Sequence, residues 1–396
     1  MSHPANAIGE KVLEVYKKEN PSTYKIEEDH AAFEKLRIFA DDLYTHSLKL
    51  LPRVFNGADL LEFGSGTGER SLAYLRWGAK CTFVDMNEEA IARARFLFEK
   101  FEPSAQYEFV RGELFNYRSE RLYDITASCG VIHHTDDKAA AFAHQVSFLK
   151  PGGINILGIG SAAGSIQRNL QRHIIYTFAG RDEEAIQRVA NDLFEEHLDR
   201  AEKLGGRARK AVIFDTYVNP RMDFVSVADI VSWHRQNGLK LFTSWPPVTP
   251  AVLADNLANR TDLRAFPEVL SNPEWLWATQ KGDDSEFLAE MEIRVAPFNS
   301  AFRELADSIN DVRAEQLNPT EILGEVERCR ELADVRHDRT LRDIRGLGPW
   351  LDEVATVMQA IERKDYEGTR DAVLACKHLF RGRQGIGLNY FVGIKE

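Results

Sequence analysis

The sequence predicts an α/β fold: a doubly wound, mostly parallel seven-stranded sheet carrying large helical insertions. Three observations predict it. From residue 58 onward, short apolar runs alternate with helix-spaced segments, and repeating βα units place parallel strands in one sheet with helices on both faces. Between Asp59 and Asp85 an apolar run enters a turn with glycines at 64, 66 and 68. A second apolar run there ends on a carboxylate, the pattern of a βαβ nucleotide site. Finally, Leu388 to Lys395 alternates like one more strand, although residues 246–385 separate it from the strand before.

Taken in order, residues 1–56 read as a helical cap, because Phe33, Leu36, Phe39, Leu43 and Leu48 recur at helix-like spacing before Pro52. The core occupies 57–160. Strand 58–63 precedes a helix over 67–77 stopped by Gly78, and strand 80–85 precedes a helix over 88–100 started by Asn87. Strands follow at 107–111, 123–129 and 154–160, with a helix at 137–149 ended by Lys150-Pro151-Gly152-Gly153. Residues 161–211 read as a helical lid broken at Gly180 and at Gly205-Gly206. The core resumes over 212–245, where Ser226 starts a helix at 226–237 and Gly238 leads into strand 239–245. Residues 246–385 are mostly helical, at 288–309, 320–335, 349–363 and 366–380, and 386–396 form the terminal core strand. If that strand pairs with 239–245, the helical block is an insertion in the core. An independent helical domain with an apolar end is the alternative.

Composition narrows the function. The 396 residues are 44% hydrophobic and 28% charged, as in an ordinary globular protein. A formal net charge of −11 argues against tracking a phosphate backbone, so no nucleic-acid partner is expected. The basic run of Arg207, Arg209, Lys210 and Arg221 reads either as a solvated face or as an attractor for an acidic acceptor. Cys81, Cys129, Cys329 and Cys376 are far apart and form no C-x-x-C pair, so no metal site or disulfide framework is indicated. The start lacks a charged-then-apolar signal pattern and no long apolar run is present, which together lead us to expect a cytoplasmic protein without a membrane segment.

A dinucleotide fingerprint needs G-x-G-x-x-G; here the third glycine falls one residue early, with Glu69 in its place, which disfavours NAD. Glu62-x-Gly64-x-Gly66-x-Gly68 instead resembles the first motif of class I S-adenosylmethionine-dependent methyltransferases, whose fold is Rossmann-like. The resemblance continues through Asp85, Gly112-Glu113-Leu114, Cys129-Gly130-Val131-Ile132-His133-His134 and Leu149-Lys150-Pro151-Gly152-Gly153, covering 58–160. It implies S-adenosyl-L-methionine as cofactor. By that resemblance Gly64, Ser65 and Gly66 let the backbone approach the methionine part, framed by Glu62 and Gly68. Asp85 would accept from the ribose diol and Glu113 would face the adenine amino group, with Met86, Leu114 and Cys129 completing the cofactor set. A plain βα turn, a helix cap at Asp85 and a solvated carboxylate at Glu113 are the structural alternatives. Phe214 to Pro220, then Trp233 and Gly238-Leu239, is more loosely similar to the substrate side of ubiquinone-biosynthesis-type, small-molecule members.

Methyl transfer is an in-line displacement, so the acceptor atom must be held about 3 to 3.5 Å from the methyl carbon with water kept away. A hydroxyl or protonated nitrogen also needs a base, and histidine suits neutral pH. His134 is the candidate base and His133 the second candidate, both on the loop beyond a strand's carboxyl end. Alternatively, one caps the helix at Asp136 and the other lines the cofactor. Tyr217, Asn219 and Arg221 are the candidate acceptor-binding residues, with packing as their alternative. The expected enzyme transfers a methyl group to a small-molecule acceptor at oxygen. A protein or RNA acceptor, or cofactor binding without transfer, are the other readings. The helical block would shape a substrate mouth or a homo-oligomer contact.

Overall fold

The computed structural model describes residues 26–205, 208–219, 223–248, 296–310, 318–334, 346–381 and 387–396, together with helical residues 14 and 17. Seven strands form one sheet: β1 (Asp59–Phe63), β2 (Lys80–Asp85), β3 (Tyr107–Arg111), β4 (Tyr123–Cys129), β5 (Leu149–Gly160), β6 (Leu239–Trp245) and β7 (Leu388–Lys395). Their order is β3-β2-β1-β4-β5-β7-β6. Strands β1 to β5 run parallel, while β7 lies antiparallel between β5 and β6. The order reverses at β1 and β4, the switch point beyond whose carboxyl ends ligands of open α/β sheets bind.

The two faces follow from the alternation of side chains along each strand. Leu61, Phe63, Leu157 and Ile159 pack on one side with α4 (Lys138–Ser147) and α8 (Val227–Gln236). Leu60, Phe83, Ile125, Ala127 and Ile156 pack on the other with α1 (His30–Asp41), α2 (Leu72–Arg76) and α3 (Glu88–Phe101). Being covered on both faces, these strands read as nearly continuous apolar runs. Each fully buried Leu, Ile or Phe contributes about 1.5–3 kcal/mol relative to exposure.

Local signals behave as capping chemistry requires. Asn87 accepts from the N–H groups of Glu89 and Ala90 at the start of α3, and Ser226 forms a capping box with Asp229 at the start of α8. Several expected boundaries move, among them the end of the helix expected at 366–380, which stops at Ala375. Helix α2 starts at Leu72 instead of 67, because residues 64–71 are taken up by the glycine turn and Ser71 Oγ donates to Glu62 instead of capping. Helix α4 ends at Ser147 instead of 149, and β5 starts at Leu149, where Leu149 pairs with Tyr123 across an irregularity in the ladder.

A second body of helices has its own core. It comprises α5 (Ala162–Ala179), α6 (Glu183–Gly205), α7 (Arg209–Ile213), a π turn at Phe214–Val218, α9 (Ala296–Asn310), α10 (Pro319–Asp334), α11 (Leu347–Glu362) and α12 (Tyr366–Ala375). Ile166, Leu170 and Ile174 of α5 meet Phe298, Phe302 and Leu305 of α9 and Trp350 and Met358 of α11. Val212, Ile213, Tyr217 and Phe224 belong to this helical core, so the helical part runs past the expected boundary at 211, and sheet packing resumes with Val225. The expected helices at 288–309 and 320–335 lie partly outside the described residues, and the segment 249–295 entirely so.

The helical body joins the sheet at the carboxyl end of β5. Ser161 caps α5, its N–H donates to the carbonyl of Gly387, and Ser161 bridges Val225. Asn310 closes the joint, accepting from Asn169 Nδ2 (2.9 Å) and Phe224 N (3.2 Å) and donating to the Phe224 carbonyl (2.7 Å). Among the described residues no helix is long and apolar enough to cross a membrane.

Candidate active site

The glycine turn after β1 is shaped by close approach. The Gly64 N–H donates to the Val84 carbonyl (2.8 Å), and a side-chain carbon at Gly64 would lie 2.3 Å from Val131 Cγ2, so only glycine lets the loop after β4 cover the turn. At Gly66, φ is +54° and an added carbon would meet no atom within 4 Å, so its backbone faces open space. Gly68 backs onto α3, against Ala94 and Phe98. The hydroxyl of Ser65 is buried without a hydrogen-bond partner among the described residues, a group whose lone pairs and proton await an outside partner.

Two acids flank this turn. Asp85 accepts from Gly66 N through Oδ2 and from Asn87 N through Oδ1, both at 2.8 Å. Each oxygen keeps capacity for a further donor, such as a ribose hydroxyl. Burial raises the Asp85 pKa above the usual carboxylate range, against the pull of three backbone N–H groups. Glu62 is buried, accepts from Ser71 Oγ (2.5 Å), and is pushed up to about 7 by burial, with the Asp85 charge adding to the rise. Met86 is half-buried beside Asp85. Gly112 N donates to the Asp85 carbonyl (2.9 Å), bringing the next loop to the same edge. There Glu113 is half-buried and accepts from Asn116 Nδ2 (3.0 Å), while Leu114 is buried.

Arg93 ties the turn to the N-terminal cap. It donates to both carboxylate oxygens of Glu27 (2.8 and 2.9 Å) and to Glu69 (3.3 Å), whose side chain is 2% exposed. A buried polar knot lies on the same side of the sheet. The hydroxyls of Tyr44 and Tyr74 are 2.5 Å apart, and burial raises both pKa values well above that of free tyrosine. Cys129 lies close enough for its charge to act on both rings, and burial pushes its thiol up to about 12, so it is an apolar wall instead of a nucleophile. Tyr44 projects from a π turn at Asp42–Ser47, and Tyr390 of β7 accepts from Arg70 (3.1 Å).

The loop after β4 separates the two histidines. His133 is buried, and its Nδ1 accepts from Gly160 N (3.4 Å) with the Phe224 ring 5.6 Å away. Burial, then the neighbouring His134, holds its pKa well below that of free imidazole. His133 therefore serves as a neutral strut joining two strand ends, a poor position for a base that must exchange protons. His134, its ring 4.2 Å from that of His133, is half-buried. Neither caps α4, whose N-cap is Asp137.

On the expected acceptor side the structure differs. Tyr217 is fully buried and donates to Gln171 Oε1 (2.9 Å), while the Asn219 carbonyl accepts from Arg172 (2.9 Å). Both are buried, with Tyr217 in the helical core. Arg221 lies outside the described residues. An aromatic and polar cluster reads alike in sequence whether it lines a cleft or pins a turn, and here it pins the π turn. Ser71, Tyr44 and Tyr74 were not foreseen at the site.

The family whose model matches, described as "Methyltransferase domain", covers residues 61–155. The chain carries a class I methyltransferase domain. This chain is 32% identical over 104 residues to a ubiquinone biosynthesis O-methyltransferase of Paramagnetospirillum magneticum, covering 26% of this chain and 41% of that protein. It is 29% identical over 133 residues to a malonyl-[acyl-carrier protein] O-methyltransferase of Ilyobacter polytropus, covering 33% and 46%. The chain thus spans less than half the length of these curated relatives. Among solved structures, magnesium protoporphyrin IX methyltransferase from Synechocystis PCC 6803 is 14% identical with a TM-score of 0.34, covering 61% of this chain and 87% of that one. The residues of the methyltransferase domain fit S-adenosylmethionine: an orphaned hydroxyl at Ser65, open space over Gly66 and a buried acid at the end of β2.

Proposed function

We propose that this protein transfers a methyl group from S-adenosylmethionine to a small-molecule acceptor, at oxygen. The observation that carries the reading is the glycine turn, where Ser65 Oγ lacks a partner next to the open backbone of Gly66 and Asp85 offers two unfilled acceptor sites. Bound there, the cofactor supplies an electrophilic methyl on a sulfonium. Glu62, Ser65 and the Gly64–Gly66 backbone would hold its methionine end, Asp85 its ribose, and Glu113 with Leu114 its adenine.

Val131, packed over Gly64, and the Cys129 wall would exclude water from the reacting end. His134 would take the proton of an acceptor hydroxyl, while His133 holds the loop that presents it. Orientation supplies most of the rate, since a bound near-attack geometry removes about 7–11 kcal/mol of barrier. The O-methyltransferase activity named for the relatives supports oxygen as the accepting atom. A net charge of −11 supports a small molecule over a nucleic acid. In this reading the chain divides into a sheet core, 57–160 with 225–245 and 386–396, and a helical body that encloses the acceptor; it works in the cytoplasm. The test is incubation with methyl-labelled S-adenosylmethionine and a small-molecule extract. Label is expected in a low-mass product; label only in protein or RNA would reject the acceptor class.

A further inference from the structure

Resting on that reading, we infer that the acceptor carries an anionic oxygen group, a carboxylate or phosphate, held by Arg168 of α5. Arg168 is half-buried, yet it makes no hydrogen bond or ion pair with any described residue. Its neighbours on the helix contrast with it. Arg172, one turn on, is fully buried and spent on the carbonyls of Thr216 (2.8 Å) and Asn219 (2.9 Å). Lys138 is paired with Asp223, Arg209 with Glu202 and Asp199, and Arg381 with Glu196. In a chain with eleven more acids than bases, a half-buried guanidinium without a partner among the described residues is costly unless a ligand completes it.

Its location makes it useful. A side-chain carbon at Gly387 would lie 3.8 Å from Arg168 Nη2, which places the guanidinium beside the chain entering β7, at the carboxyl end of β5. Its charge acts on His133, on Tyr217 and on His197 of α6, so these three lie around it. A chain of neighbours leads to the cofactor turn: His133 and His134 follow Val131, and Val131 packs on Gly64. On the same helical face, three residues on, Gln171 Nε2 is buried without an acceptor while its Oε1 takes the Tyr217 hydroxyl. A planar guanidinium with an amide N–H one turn away matches the two oxygens of a carboxylate or phosphate. An acceptor anchored there would reach back toward His134 with its hydroxyl.

The test uses the full chain labelled with 15N-arginine, in which the Arg168 side-chain signal is assigned by its absence from R168K. Benzoate and phenyl phosphate are titrated separately in the presence of S-adenosylhomocysteine, with benzamide as the neutral control. A saturable shift of the Arg168 signal with an anion and none with benzamide is expected, and whichever anion saturates first identifies the group. In R168Q, half-saturation should rise about 10- to 100-fold, the loss of one charge-assisted contact. A shift equal with benzamide, no saturable shift, or unchanged binding by R168Q overturns the inference. Calorimetry with S-adenosylhomocysteine alone keeps the two readings apart. Binding of that ligand by a protein that ignores the anions would reject the anion site and leave methyl transfer standing, and the converse result would do the opposite.

Discussion

At the carboxyl edge of the sheet, buried polar groups are left partly unfilled: Ser65 Oγ has no partner, Asp85 keeps two vacant acceptor sites, and Glu62 is held as a near-neutral acid. Inside the helical body several are bonded locally, although Gln171 Nε2 and Trp350 Nε1 are buried without a partner among the described residues. Arg172 is spent on two carbonyls, Tyr217 on Gln171, and Asn310 on Asn169 and Phe224. Unsatisfied buried polar groups are costly, so those that converge on one turn mark a place where a ligand completes them. At the sheet edge the unfilled groups meet at one glycine turn, and in the helical body Arg168 and the unfilled amide of Gln171 lie three residues apart on one helix.

Substitutions should divide along the same line. The largest effect is expected for G66V, which puts a side chain into the open cradle at φ +54°. S-adenosylhomocysteine affinity should fall more than about 100-fold by calorimetry, with only the modest strain of a left-handed residue on stability. Next, H134Q should lower kcat about 100-fold with little change in KM or cofactor affinity, the range of a lost general base. An H133Q variant should instead show a lower thermal midpoint, since that ring joins Gly160 to the β4 loop. In the helical body, R172M should cost about 1–3 kcal/mol in denaturant unfolding by orphaning the carbonyls of Thr216 and Asn219, while cofactor affinity stays within twofold.

The smallest effect is a pH dependence. Because burial lifts the Glu62 pKa to about 7 in the folded chain, the folded state binds a proton between about pH 4.5 and 7 that the unfolded state has lost. Stability therefore declines as pH rises through that window, and E62Q should flatten the decline in urea titrations run from pH 5 to 8. An unchanged slope would contradict a buried, proton-bearing Glu62.

Much of this was legible because spacing and chemistry coincide. Glycines at 64, 66 and 68 can only be a turn between apolar runs, and Asp85 falls at a strand end where a carboxylate has a reason to be. Alternation marked Leu388–Lys395 as a strand, and its pairing with Leu239–Trp245, conditional in the sequence, is present in the sheet. The acceptor side was not legible. Tyr217 and Asn219 carry the composition of a cleft and the contacts of a core, and pattern does not distinguish them. Arg168 is one arginine among many, and its interest lies in having no partner among the described residues, which only three dimensions reveal.

The central claim is that the carboxyl ends of β1 and β2 hold the adenosine and methionine parts of one cofactor. Calorimetric titration of S-adenosylhomocysteine into the full chain and into D85A tests it most directly. One-to-one binding, weakened at least about 10-fold in D85A by loss of charge-assisted hydrogen bonds, is the predicted result. No binding, or equal binding by D85A, would contradict it.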